Sequence, residues 1–490
     1  MQDGAITDTA QAPLADGPAA PPSLAPIWWP TGVRAASPGG PDSLRRTVAG
    51  TLFARPWFDR TSLFALRHVM FPASRLWAAA QVADGDLEQF LAAVPMAAPA
   101  TGVHKLTRVL EDVARAKVAA KAMDAEWERV FFGEGETSAL HRRAVEAARL
   151  AQSDLNNGTR WRLRATLRQT VPRAKLAIET PDAVEAIYGG GRSAFNALSA
   201  PPAVMPEVTV SRAFPTPFSR DFWLRFQSPS RRLGDMVYAR VHEPANAENA
   251  PTIIFGHGVC VEFDHWKGLI DECEALVRRG FRVIRPEAPW HGRRAPNGLF
   301  GGERTIGAFP MGLIDSFAGA LQEWSVIADW ARRRSTGALV FGGSSLGAMT
   351  AQLAASRAAD GPDRLRPDAL FLVTHTGDMA AAVLDGALAN MWASTTDVER
   401  QGWSRDMARA YLSLINPIDP MPIPGHRIVS ILGRRDKVLP FESGRQLLER
   451  WKVPAANSFI WDRGHFSVPT TLIRNTAPLD RLAQVVERLP

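Results

Sequence analysis

The chain has 490 residues, of which 46% are hydrophobic and 22% are charged, and this balance excludes a largely disordered protein. The net charge of +7 is too small for this length to indicate a nucleic-acid partner or a polybasic membrane domain. Two cysteines exclude a disulfide framework, and no uncharged apolar run reaches the length of a membrane span. We therefore expect a soluble cytoplasmic protein without nucleic-acid partners.

The composition divides the chain into three regions. Residues 1–45 are rich in Ala, Pro and Gly, which predicts a flexible tail. Residues 46–200 show helical periodicity, and TPDAVEAIYGGG predicts one helix that starts at Thr180 or Pro181 and ends at Gly189. This helical N-terminal region either covers an active-site mouth or forms a homo-oligomer interface, and the sequence leaves both open.

Residues 201–490 alternate between short apolar strands and amphipathic helices. The strands include TIIFG, RVIRP, ALVFGG, DALFLVT and HRIVSILG. This alternation predicts an α/β domain, with a mostly parallel sheet flanked by helices on both faces. An insert at about residues 379–421 separates two of the strands, and we predict that it forms a helical lid.

A G-x-S-x-G motif follows the strand ALVF and precedes a helix. A serine at the apex of a sharp strand-to-helix turn needs neighbours without Cβ atoms two residues away on either side. Gly343 and Gly347 satisfy this requirement for Ser345, whereas the same frame around Ser344 would need a glycine at Leu346. Ser345 is therefore the predicted nucleophile.

A serine nucleophile needs a base, and the base needs an acid that orients it. In this kind of sheet the chain order is serine, acid, histidine. Asp436 lies three residues beyond the strand-ending Gly433, and His465 is the single histidine that follows it. We predict Asp436 and His465 as acid and base, with Asp378, after the strand DALFLVT, as an alternative acid.

Acyl transfer also needs N–H donors for an oxyanion. One predicted donor is the backbone N–H of Leu346, which follows the nucleophile, and the other is that of Val259 in the loop Gly256-His257-Gly258-Val259. His257 is expected to hold this loop by hydrogen bonds rather than to act in catalysis. We also place His257 and Gly258 among the residues that border the substrate.

With these motifs in order, residues of about 205–490 resemble the α/β-hydrolase superfamily. The resemblance implies the α/β-hydrolase fold and a serine hydrolase that requires no metal or organic cofactor. The superfamily also includes dehalogenases and epoxide hydrolases, whose nucleophile at this turn is an aspartate. Ser345 argues against these two activities. Three details depart from common patterns: the HG loop lacks further glycines, EAPWHGR replaces D-x-R-G-x-G, and minimal members have no counterpart of the first 200 residues.

The substrate should bind beyond the carboxyl ends of the strands. Aromatic residues in the loops there, among them Trp290, Trp392 and Trp403, predict an apolar pocket for an acyl or aromatic group, although each of them could instead pack the insert onto the sheet. Gly298 and the pair Gly301-Gly302 form either the hinge of a flap or a fixed tight turn.

Taken together, these residues predict a serine hydrolase that cleaves a carboxylic ester of a small molecule through an acyl-enzyme. The same triad would serve an amidase, a peptidase or an acyltransferase, and sequence alone does not separate these activities. A binding protein on a hydrolase fold is the non-catalytic alternative, and the presence of serine, acid and histidine in order argues against it.

Overall fold

A computed structural model describes residues 55–94, 102–167, 170–261, 272–389, 391, 395–472 and 474–489. The tail predicted at residues 1–45 lies outside the described residues. From residue 55 to 199 the described chain is helical, with a π-helical turn at Leu66–Met70 between the first two helices. These helices are α1 (Pro56–Ala65), α2 (Phe71–Ala83), α3 (Leu87–Ala93), α4 (Val103–Phe132), α5 (Ala139–Thr166), α6 (Pro181–Tyr188) and α7 (Arg192–Ser199).

Local sequence sets several of these helix ends. The Thr180 side chain accepts a hydrogen bond from the Ala183 N–H, Pro181 occupies the first helical position, and α6 ends before Gly189, as predicted. Asp86 and Ser138 cap α3 and α5 in the same way.

The long helices α4 and α5 bury an apolar core together with α2. Its residues include Leu76 from α2, Val109 and Val113 from α4 and Leu163 from α5. A second cluster joins the end of α4 to the first strands of the sheet, since Trp127 packs edge-to-face against Trp223 at 5.4 Å between ring centroids. The helical region is therefore packed directly onto the sheet.

The rest of the described chain is built around a ten-stranded mixed sheet. Its strands are β1 (Thr209–Val210), β2 (Phe214–Pro215), β3 (Arg220–Gln227), β4 (Met236–Glu243), β5 (Thr252–Gly256), β6 (Arg282–Pro286), β7 (Leu339–Ser344), β8 (Ala369–Val373), β9 (Ile428–Gly433) and β10 (Ser458–Trp461). The order is β1-β3-β4-β6-β5-β7-β8-β9-β10, with β2 paired to β3. Strand β4 is antiparallel to its neighbours β3 and β6, and the six strands β5 to β10 run parallel to one another.

Helices cover both faces of this sheet, as the continuous apolar strands predict. The helices after β5 are α8 (Glu272–Val277), α9 (Glu303–Gly307), α10 (Met311–Arg334), α11 (Leu346–Arg357), α12 (Met379–Leu384), α13 (Thr395–Arg400), α14 (Arg405–Leu412), α15 (Phe441–Arg450), α16 (Ser467–Leu472) and α17 (Ala477–Glu487). On one face of the sheet, Ile254 and Phe341 pack against α10 and α11. On the other face, Ile253 and Val340 pack against α8, α16 and α17.

The segment between β8 and β9 carries the short helices α12, α13 and α14. The predicted insert is thus helical in its described part, and its role as a lid stays a prediction. Within the described ranges, no helix is long and apolar enough to cross a membrane.

Candidate active site

Ser345 lies at the apex of the turn between β7 and α11, with φ of 55° and ψ of −117°. This left-handed conformation is uncommon for a residue with a side chain, and such strain is found preferentially at functional sites. A Cβ on Gly343 would lie 2.4 Å from the carbonyl carbon of Gly347, and one on Gly347 would lie 2.0 Å from the Gly256 oxygen. Backbone crowding therefore requires both glycines of the motif.

The turn brings Ser345 together with the predicted base and acid. His465 Nε2 is 3.0 Å from Ser345 Oγ, and His465 Nδ1 is 2.8 Å from Asp436 Oδ2. The imidazole and the carboxylate are both buried, so solvent does not compete for these bonds. The three side chains form one continuous chain of hydrogen bonds.

The second oxygen of Asp436 is held by the backbone. Its Oδ1 accepts hydrogen bonds from the N–H groups of Val438, at 2.8 Å, and Leu439, at 2.9 Å. The alternative acid, Asp378, is used elsewhere, because its side chain accepts a bond from the Ala381 N–H and caps α12. The carboxylate that contacts the base is thus the one that follows β9.

The HG loop lies directly against Ser345. A Cβ built on Gly258 would be 3.8 Å from the Ser345 Cβ, and Val259 borders the same cavity as Ser345 and Leu346. The N–H of the next residue, Cys260, already donates a hydrogen bond to His291 Nε2 at 3.0 Å. The oxyanion role of the Val259 and Leu346 N–H groups stays a prediction.

His257 connects this loop to the loop after β6. Its Nε2 accepts a hydrogen bond from the Ala288 N–H at 3.0 Å, and its Nδ1 donates to the Gly258 oxygen at 2.8 Å. Burial lowers the pKa of His257 to about 3, so the ring is neutral at pH 7 and its Nε2 can accept. His257 therefore holds the loop, as the sequence predicts, and its placement among substrate contacts stays a prediction.

His291 makes the reciprocal connection, a role that the sequence analysis missed. It lies on the loop after β6 and accepts the Cys260 N–H, while its Nδ1 donates to the Pro289 oxygen at 2.8 Å. Burial lowers the pKa of His291 to about 4, which keeps it neutral and able to accept. Its position in the EAPWHGR departure from the common loop was the available signal.

The glycine-rich segment of residues 298–302 is anchored by the helical region. Arg75 of α2 donates to the Gly298 oxygen at 3.0 Å and to Glu303 at 2.9 Å, and both side chains of this ion pair are buried. Gly302 has φ of +80°, and a Cβ there would lie 2.5 Å from His291 Nε2. Of the two sequence-based alternatives, the structure has the tight turn.

A cavity of about 270 Å³ opens beside Ser345. Its walls come from α10, α11, the insert and the loop after β9, and they are mainly aliphatic and aromatic, including Phe309, Leu313, Met349, Met379, Val383, Leu388, Val398, Trp403 and Leu439. The polar groups Glu399 and Arg405 also border it. Such a cavity favours an uncharged apolar group next to the nucleophile.

The predicted substrate-contacting tryptophans have different positions. Trp403 lines the cavity, with its indole N–H donating to the Glu179 oxygen at 2.6 Å. Trp290 does not line it: its φ is +61°, and its buried ring lies under the Arg304 guanidinium, 4.8 Å from the ring centroid. Gly258 is also absent from the walls, so the substrate contacts of Trp290 and Gly258 stay predictions, and Trp392 lies outside the described residues.

In the described part of the chain, no three His, Cys, Asp or Glu side chains converge as the ligands of a metal ion would.

The sheet and the turn at Ser345 define the fold class. Strands β3-β4-β6-β5-β7-β8-β9-β10, with β4 antiparallel, carry the serine turn after β7, the acid after β9 and the histidine after β10. This is the α/β-hydrolase fold, in which the triad follows the order serine, acid, histidine.

Comparison with known structures gives esterases and related hydrolases. The chain is similar to acetyl xylan esterase 1 from a Thermoanaerobacterium species, with 16% identity and a TM-score of 0.43 over 64% of this chain and 96% of the other. It is also similar to an S-formylglutathione hydrolase from Agrobacterium tumefaciens, with 14% identity and a TM-score of 0.38 over 57% and 99%. A Pyrobaculum calidifontis esterase gives 16% identity and a TM-score of 0.37 over 62% and 94%. No protein-family model and no curated protein sequence matches the chain.

Proposed function

We propose that the protein is a serine esterase that cleaves carboxylic esters of apolar acyl groups. The observation that carries this proposal is the hydrogen-bond chain from Asp436 through His465 to Ser345, which ends at the wall of an apolar cavity. A buried triad beside an apolar cavity fits attack on a neutral acyl carbon.

Each residue has a distinct role in the proposed reaction. Ser345 Oγ attacks the acyl carbon as its proton moves to His465 Nε2, and the N–H groups of Val259 and Leu346 stabilise the oxyanion that forms. His465 then gives the proton to the departing alkoxide, and the C–O bond to the alcohol breaks. Water attacks the acyl-enzyme, its proton passes to His465 and back to Ser345, and the acid leaves. Asp436 keeps the imidazole oriented and stabilises its protonated form.

The function is tested with a fluorophosphonate probe and with matched butyryl p-nitrophenyl ester and p-nitroanilide substrates. We expect labelling at one site, on the peptide that contains Ser345, and turnover of the ester but not of the anilide. Ser344→Ala is the matched control, since this neighbouring serine is buried in β7, and it should be labelled like the wild type. Labelling that survives in Ser345→Ala, or no labelling of the wild type, would contradict the proposal, and faster turnover of the anilide would favour an amidase.

The cavity should set the preferred acyl length. Trimming the buried Trp403 ring with Trp403→Leu lengthens the cavity, and we expect the ratio of kcat/KM for decanoyl over butyryl p-nitrophenyl ester to rise about 10-fold. Val383→Phe fills the same cavity and should lower that ratio. Steady-state kinetics over a series of chain lengths measures both effects.

Trp330→Leu is the control for loss of an indole, because Trp330 packs against Phe222 and does not border the cavity. An unchanged chain-length profile in both Trp403→Leu and Val383→Phe would show that this cavity does not hold the acyl group.

A further inference from the structure

Helix α1 of the N-terminal region contacts the turn that carries His465. The Asp59 carboxylate accepts hydrogen bonds from the N–H of Phe466 at 2.7 Å and from the N–H of Ser467 at 3.3 Å, both through Oδ1. Its Oδ2 accepts the Ser467 hydroxyl proton at 2.5 Å. These contacts bind the two residues that directly follow His465 in the chain.

The turn itself is shaped around this carboxylate. The Gly464 N–H donates to Ser467 Oγ at 3.0 Å, so the serine hydroxyl joins the residue before His465 to Asp59. A Cβ on Gly464 would lie 2.4 Å from Asp59 Cγ, and no ordinary side chain can approach so closely. With Asp59 in this position, a side chain at residue 464 would force either the carboxylate or the turn to move.

We propose that Asp59 is a positioning residue for His465, and hence that the N-terminal helical region takes part in forming the active site. This inference rests on the proposed esterase function. The hydrogen bonds of Asp59 go to Phe466 and Ser467, not to the imidazole or to Ser345. Asp59 therefore acts through the backbone on both sides of His465. A base displaced by a fraction of an ångström from Ser345 Oγ transfers the proton poorly, while substrate binding is unaffected.

The first test replaces Asp59 in the full-length protein. With Asp59→Ala we expect kcat for p-nitrophenyl butyrate to fall about 10- to 100-fold, with KM within about twofold of the wild type, and fluorophosphonate labelling to slow by the same factor as kcat. Asp59→Asn keeps an oxygen that can accept the Phe466 N–H, so kcat should stay within about threefold of the wild type. Near-normal activity of Asp59→Asn beside the loss in Asp59→Ala would assign the effect to the lost hydrogen-bonding side chain rather than to the lost negative charge.

Asp86→Ala is the matched control. Asp86 lies in the same helical region, and its Oδ1 accepts the Gln89 N–H at 3.0 Å to cap α3, so this variant loses the same kind of bond away from the triad. Thermal unfolding of each variant gives the accompanying change in stability. If Asp59→Ala is recovered only as insoluble protein, Ser467→Ala gives the same readout, with an expected loss in kcat of about 10-fold, because it removes the hydroxyl that links Gly464 to Asp59.

Three results would overturn the inference. The first is a kcat of Asp59→Ala equal to that of the wild type, or of Ser467→Ala where that is the variant recovered. The second is a loss of kcat no larger than that of Asp86→Ala, and the third is a raised KM with unchanged kcat. Failure of the proposed function is recognised separately, since the wild-type protein would then show no labelling that depends on Ser345.

Discussion

His465→Ala is expected to lower kcat for p-nitrophenyl esters by about 10⁴- to 10⁶-fold and to leave KM nearly unchanged. Among the described residues, His465 Nε2 is the one hydrogen-bond partner of Ser345 Oγ, so the variant lacks a base at that position, whereas the apolar cavity is intact. The fold should survive, because the Asp436 carboxylate keeps its two backbone N–H partners at Val438 and Leu439. Steady-state kinetics and the rate of fluorophosphonate labelling measure the loss.

The double variant Ser345→Ala/His465→Ala adds a second criterion. Groups that act as one unit lose their effect together, so the double variant should be no slower than Ser345→Ala alone. His426→Ala is the matched control, since His426 is an exposed histidine between β8 and β9, and its activity should equal that of the wild type. Activity of His465→Ala within about 10-fold of the wild type would remove this histidine from the reaction.

The features that sequence predicted are those fixed by local backbone geometry. The spacing of Gly343, Ser345 and Gly347 reflects backbone crowding at the turn: a Cβ on Gly343 would lie 2.4 Å from Gly347 in the same turn, and one on Gly347 would lie 2.0 Å from the Gly256 oxygen of the neighbouring strand. The apolar strands predicted a sheet with helices on both faces because each strand must bury side chains in both directions. The order of acid and histidine after Ser345 follows from the same sheet topology.

The features that sequence missed depend on pairs of residues far apart in the chain. Asp59 contacts Phe466 across 407 positions, and Arg75 reaches Glu303 across 228 positions. Neither residue belongs to a motif, and an aspartate or arginine in a helical segment is more often a solvated surface residue. Trp290 also has a contact that its place in the loop after β6 did not predict: its ring lies against Arg304 and does not line the cavity beside Ser345.

These long-range contacts come largely from the N-terminal helical region. Arg75 anchors the segment whose Gly302 packs onto His291, and His291 in turn holds the Cys260 N–H beside Val259. Asp59 holds the turn on the other side of Ser345. The helices thus contact residues that support both the loop after β5 and the turn that carries His465, which favours packing with the sheet as one unit over a separate appendage.

Gly347→Ala should disrupt the site through the backbone alone. A Cβ at residue 347 would lie 2.0 Å from the Gly256 oxygen and 2.1 Å from its carbonyl carbon, and backbone atoms of a central strand cannot move aside. We expect a loss of more than about 3 kcal/mol in unfolding free energy and a decrease of at least about 100-fold in fluorophosphonate labelling, because β5 and the HG loop are pushed away from Ser345. Urea denaturation and labelling kinetics measure the two effects.

Gly158→Ala is the matched control, since Gly158 lies within α5 and a Cβ there would have no heavy atom within 4 Å. Alanine favours a helix interior over glycine by about 1 kcal/mol, so this variant should be slightly more stable and equally active. The same substitution is thus expected to have opposite signs at two glycines, according to what surrounds the added methyl group. If Gly347→Ala instead keeps wild-type stability and labelling, the contact between α11 and the HG loop does not fix the position of Ser345, and the steric basis of the motif in this protein is wrong.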